Sequence, residues 1–185
     1  MSFGFNPDRK AFALAGILLV LTLLVCTALA YDLKDNAIQH ANQGRLLMER
    51  GQHAEAVEEF KAALRLNPAT GMSGALYNNL GLAYKELGEY PLAYVSFQRA
   101  LRIQPTYTLY YKNLIETYAA AGRLREVEQS LRSVVTLNPQ DAEAWFLLGL
   151  LYQEEQNKKA SRVCFSRFLK LQPASELART AQSAL

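Results

Sequence analysis

Hydrophobic and polar positions divide the chain into two unlike parts. Residues 11–31, AFALAGILLVLTLLVCTALAY, contain no charge; Arg9 and Lys10 precede them and Asp32 follows. A helix over this run rises about 30 Å, the thickness of a bilayer's hydrocarbon core. The pattern therefore predicts one transmembrane anchor at residues 11–31 with residues 1–10 as a cytoplasmic N-terminus. Arg9 and Lys10 on the inner side place the rest outside the cytoplasm. Two other readings stand beside the anchor. A cleaved signal peptide, residues 1–30, has Ala28-Leu29-Ala30 as its processing motif. A lipidated Cys26 lacks the small residue expected just before it, since Leu23-Leu24-Val25 precedes.

Beyond Asp32 the pattern turns amphipathic and periodic. Prolines that close helical stretches fall at Pro68, Pro105, Pro139 and Pro173, with gaps of 37, 34 and 34 residues. The segments before them rhyme: LRLNP, LRIQP, VTLNP and LKLQP. Self-similarity near 34 residues predicts stacked helix–turn–helix units, each burying its apolar face against its neighbours. Gly51, Gly88 and Gly122 recur where a first helix ends, as left-handed caps do, and Asn157 is expected in that role in the fourth unit. Pro91 suits the start of a helix, where its missing N–H has no partner anyway. The three extra residues between units one and two fall in the loop NPATGMSG. A short final helix over residues 174–185 is expected to cover the end of the array. Ser175 is its N-cap and Leu177, Ala181 and Leu185 lie on one face.

The second unit carries Tyr77, Leu80, Gly81, Tyr84, Ala93, Phe97, Ala100 and Pro105, and on these residues the chain resembles the tetratricopeptide repeat family. The first unit keeps Gly44, Ala56, Phe60, Ala63 and Pro68, with His40, Gln43 and Leu47 where Trp, Leu and Tyr are usual. The fourth keeps Trp145, Leu148, Gly149, Tyr152, Phe165 and Pro173, with Ser161 and Phe168 in the alanine places. The third keeps Tyr111, Leu114, Tyr118 and Pro139, but has Ile115, Val127 and Val134 at small-residue places, so looser packing is expected there. The resemblance implies an all-α fold, a right-handed superhelical stack of four units at residues 37–70, 74–107, 108–141 and 142–175. It also implies a concave groove, lined by the first helix of each unit, that holds a protein or peptide partner.

Three asparagines, Asn42, Asn79 and Asn113, occupy the slot two before the repeat glycine, with Leu147 in the fourth unit. Asparagine is a poor helix former, so the recurrence is not explained by propensity. Within the family a ladder of asparagines holds a peptide backbone, and these three resemble a short one. Arg45, Asn78, Lys112 and Glu116 stand beside them, and Phe146, Leu147 and Leu150 are expected to make an apolar end to the groove. The carboxylate clamp of the family's co-chaperones is not expected, because Ala41, Leu109 and Asn113 stand where it wants Lys, Lys and Arg.

Charge and chemistry narrow the function. Twenty basic and 17 acidic side chains give a net charge of +3 with both signs interleaved, so no nucleic-acid partner is expected. The outer group Lys158, Lys159, Arg162 and Arg167 reads as a solvated face or as a contact for anionic lipid or an acidic partner. His40 and His53 have no converging ligand set, and Cys26 and Cys164 are too far apart in sequence to form a motif. No catalytic residue, metal site or cofactor is expected. The chain is read as a membrane-anchored, non-enzymatic scaffold, with a processed periplasmic assembly factor as the alternative.

Overall fold

The computed structural model describes residues 7–66 and 72–185. Residues 1–6 and the loop 67–71, with Pro68, lie outside the described residues. The fold is all-α, nine helices without a strand among the described residues: α1 (Pro7–Glu49), α2 (His53–Leu66), α3 (Ser73–Glu86), α4 (Tyr90–Ile103), α5 (Thr108–Ala120), α6 (Leu124–Leu137), α7 (Ala142–Glu154), α8 (Lys158–Leu171) and α9 (Ala178–Ser183). The apolar run and the first helix of unit one are one continuous element, α1. The mostly polar residues Asp32 to Asn36 between them include neither Gly nor Pro, so nothing breaks the helix.

Each unit is an antiparallel helix pair, and units one, two and four are closed by the same contact. A Cβ placed on Gly44 would meet the Phe60 ring at 2.6 Å, one on Gly81 the Phe97 ring at 2.8 Å, and one on Gly149 the Phe165 ring at 2.5 Å. The glycine on the first helix thus admits a fully buried phenylalanine from the second. In unit four the approach is close enough for Ser161 Oγ to donate to the Gly149 carbonyl at 2.9 Å. Unit three has Ile115 and Leu131 at these places, and its second helix is the odd one out. Helix α6 buries only Val135, whereas α2, α4 and α8 bury five, five and four residues.

The turns within units share one backbone device. Residue Gly51 has φ 73°, Gly88 75° and Gly122 68°, and the following N–H reaches back to the first helix: Gln52 to Leu47, Glu89 to Tyr84 and Arg123 to Tyr118, each at 2.9 Å. This is the left-handed helix cap. In unit four Gln156, φ 59°, takes the place, which corrects the assignment to Asn157. Asn157 instead caps α8, its side chain accepting from the Ala160 N–H at 3.2 Å.

The connections between units are also tied. Tyr111 Oη donates to the Pro105 carbonyl at 2.9 Å, and Trp145 Nε1 to the Pro139 carbonyl at 3.0 Å, the same spacing in two units. At the C-terminus the helix is shorter than expected. Ser175 Oγ accepts from the Leu177 N–H within a turn, and α9 starts only at Ala178. Leu177, Ala178 and Ala181 are buried against Phe146, Phe168 and their neighbours, while Leu185 is exposed.

Candidate interaction site in unit three

The swap of Gly and Phe for Ile115 and Leu131 leaves α5 and α6 apart. Ile115 turns its bulk into the core with Tyr111, Phe146 and Leu151. Between the two helices lies a cleft of about 690 Å3. Leu101, Tyr111, Leu114, Tyr118, Val127, Leu131 and Leu147 form its apolar walls, and Arg102, Arg123, Glu126 and Glu143 its rim. The Tyr118 ring stacks on Tyr94 of α4, centroids 4.4 Å apart, which fixes one wall. Tyr111 Oη, whose proton the Pro105 carbonyl also attracts, lies 3.2 Å from Glu143 Oε1, and Arg123 makes two bonds to Glu126 at 2.6 and 2.8 Å. An apolar cavity of this size with a few polar groups at its mouth is the usual form of a ligand site.

The residues expected to line the groove are not brought to one surface. Asn42 is exposed and accepts from Arg45 at 2.6 Å on α1. Asn78 and Asn113 are 5% and 6% exposed, and the Asn113 amide donates to Asn78 Oδ1 at 2.7 Å between α3 and α5. Their amides are therefore engaged within the protein, which corrects the expectation that Asn113 faces solvent. Asn79 is half-buried, its oxygen 3.5 Å from the Asn78 amide nitrogen. Phe146 is fully buried and Leu150 nearly so, so the expected apolar surface reduces to Leu147, which lines the cleft. A helix apolar on every side, as AWFLLGLLY is, gives no signal of which face is covered. Lys112, Glu116 and the edge of Leu150 do converge, on a shallow depression of about 350 Å3 between α5 and α7. Glu116 there lies 3.6 Å from Lys85 of α3. The cleft itself was signalled only by the bulky residues Ile115 and Val127; Leu101, Leu131 and Glu143 carried no mark.

Asn113→Ala should cost about 1–3 kcal/mol, because it leaves the buried Asn78 oxygen without its donor. Chemical denaturation measures this, and an unchanged midpoint would mean that water satisfies Asn78.

The groups with reactive chemistry are quiet. His40 Nδ1 lies 2.6 Å from Glu59 Oε2, and His53 opens α2. Burial pushes the Cys164 thiol up to about 11 from 9.0. Tyr152 is pushed up to about 12 by burial and by the Glu128 carboxylate, which accepts a hydrogen bond from its hydroxyl at 2.7 Å. Burial, with Glu143 beside it, raises Tyr111 as well. All three are held neutral by the fold, so their contribution is complete below the ordinary value and disappears as pH rises through the folded one. The melting temperature should fall between about pH 9 and 12, and a flat profile across that window would contradict the burial.

Family models for the tetratricopeptide repeat match residues 75–107 and 142–175, and a further repeat model matches residues 44–88. The human protein O-mannosyl-transferase TMTC1 is 27% identical over 132 residues, 71% of this chain and 14% of its own length. The uncharacterized protein ycf37 of Pyropia yezoensis is 36% identical over 63 residues, 34% of this chain and 35% of its own. The chain thus spans only a small part of the transferase and about a third of the second relative. Among solved structures, a tetratricopeptide repeat protein from Parabacteroides merdae aligns with a TM-score of 0.51 and 25% identity, over 81% of this chain and 59% of that one. The period, the glycine–phenylalanine contacts and these matches agree: the chain belongs to the tetratricopeptide repeat family.

Proposed function

We propose that the protein is a non-catalytic scaffold, anchored in a membrane by α1, whose array outside the cytoplasm holds a partner polypeptide through the cleft of unit three. The observation that carries this reading is the cleft itself. Its apolar walls suit the side chains of a partner helix or strand, and its charged rim can fix their direction. The anchor is supported by α1, long and apolar enough to cross a bilayer, with every described side chain from Leu14 to Leu29 exposed. An uncovered apolar surface of that extent calls for lipid or protein around it. Arg9 and Lys10 before it support an outward-facing array. Lys112 and Glu116, on the depression that shares Ile115 with the cleft, extend the contact on its polar side. The family and its fold typically serve as binding scaffolds rather than catalysts, and the transferase name belongs to relatives that match over a small part of their length.

The test has two steps. A photo-crosslinking residue at Ser130, inside the cleft, should capture a partner in intact membranes, whereas one at Ser133 should not. With that partner purified, Val127→Trp fills the cleft and should weaken binding at least about tenfold, or 1.4 kcal/mol, while leaving the melting temperature near that of wild type. Unchanged affinity would remove the cleft from the reading.

A further inference from the structure

We propose that the edge of the array formed by the connections at residues 104–107, 138–141 and 172–177 lies on the surface of the bilayer, in contact with lipid headgroups; this rests on the reading that residues 11–31 span the membrane. The argument starts from the continuity of α1. Ala37, fully buried in the array, lies six residues beyond Tyr31 on the same helix, a rise of about 9 Å. The headgroup layer on each side of the hydrocarbon core is about 5–7 Å thick. The array therefore begins at the outer limit of the headgroups, with no flexible linker to lift it away.

Helix direction then decides which edge faces the lipid. Each second helix runs back along its first, with Phe60, Phe97 and Phe165 against Gly44, Gly81 and Gly149. Adjacent first helices run the same way, each reached by a second helix that runs back, and Asn113 of α5 bonds Asn78 of α3, each the sixth residue of its helix. The starts of α3, α5 and α7 and the ends of α2, α4, α6 and α8 are thus on the anchor's side. The turns at Gly51, Gly88, Gly122 and Gln156 lie about 20 Å further out, one helix length away.

Composition differs between the two edges in the direction a membrane needs. On the anchor's side Ile103, Tyr107, Leu109 and Leu137 are 40%, 50%, 47% and 87% exposed. Exposed aliphatic and tyrosine side chains at headgroup depth are the mark of interfacial binding. Arg65, Arg102 and Lys170 end three of the second helices and make no ion pair among the described residues. Three carboxylates on the same side are engaged within the protein, while Asp35 of α1 is exposed and makes no ion pair among the described residues. Asp141 accepts from the Ala144 N–H, Glu176 accepts from Thr106, and Glu143 lies beside the Tyr111 hydroxyl. The outer edge exposes Leu87 and Leu92 beside Glu86 and Glu89, and its cations Arg50, Arg125, Lys158 and Lys159 are interleaved in sequence with Glu49, Glu126, Glu154 and Glu155. Unpaired cations beside apolar side chains match a bilayer that contains anionic lipid, each cation adding about 1 kcal/mol near such a surface.

Full-length protein in nanodiscs of phosphatidylcholine and phosphatidylglycerol provides the test. An environment-sensitive fluorophore is placed on Val20→Cys, Leu137→Cys or Glu89→Cys in a Cys26→Ser background, where the buried Cys164 stays unlabelled. Quenchers carried by the lipids report depth. The expected result is quenching at Val20 by a chain-centre quencher, quenching at Leu137 by a headgroup-level quencher, and neither at Glu89. If Val20 is quenched and Leu137 behaves like Glu89, the anchor stands and the edge contact is overturned. Shielding of Leu137 only after a protein partner is added overturns it too, in favour of a protein interface. An unquenched Val20 removes the anchor, and the edge proposal with it.

Discussion

Gly81→Val should destabilise the protein by about 1–3 kcal/mol and loosen three units together. The first Cβ atom alone would stand 2.8 Å from the Phe97 ring. That ring is fully buried beside Ala93, Tyr94 and Leu114, so it has no free space to move into. Helix propensity pulls the other way, since valine is the better helix former, but by less than about 1 kcal/mol. Overpacking wins, and α3 and α4 separate. The effect then spreads, because α3 packs on α2 through Leu76 and Leu80, and α4 on α5 through Leu114. Units that are stable only through their neighbours loosen with them. Hydrogen exchange should rise in α1 to α6 ahead of α7 and α8, alongside a lower melting temperature. Faster exchange confined to α3 and α4 would show that the units are energetically separate, and an unchanged melting temperature would place Gly81 away from any helix contact.

The same glycine shows what could be read in advance. Gly44, Gly81 and Gly149 each stand 16 residues before a phenylalanine, and the structure puts those pairs in contact. The turns were legible for the same reason, since a left-handed residue must recur once per unit. Where the period has a single dissenting member, sequence reasoning lost its footing. Gln156 carries a positive φ that a non-glycine residue takes only when the chain around it leaves no other path. Asn78 and Asn79 are adjacent, and one residue is about 100° around a helix, so the slot shared by Asn79 and Asn113 did not mark Asn78 as the residue that Asn113 bonds. The role of Phe146 and Leu150 was hidden by a helix without a polar side. The continuity of α1 was present in the sequence as an absence of breakers between Tyr31 and Ala37, a weaker mark than the change from apolar to amphipathic pattern that surrounds it.

The cleft of unit three follows from a pair of residues, and exchanging both should abolish it. Ile115→Gly alone removes a buried side chain and introduces a poor helix former, costing about 2–5 kcal/mol for the cavity and about 1 kcal/mol for propensity. Leu131→Phe alone enlarges a half-buried residue beside open space and should cost less than about 1.5 kcal/mol. Together they recreate the glycine and phenylalanine found in the other three units. The new ring has the vacated space of Ile115 to enter, so α6 can move onto α5. The double variant should be more stable than the sum of the single changes by about 0.5–3 kcal/mol, the range for residues in contact. It should also lose the affinity for whatever partner Ser130 crosslinks, by more than either single variant that still folds. Denaturant unfolding of the four proteins of the cycle measures the coupling. Strict additivity would mean that α4 and α7, through Leu101, Arg102 and Leu147, hold α6 in its outward position, and that Ile115 and Leu131 merely line a space set by their neighbours.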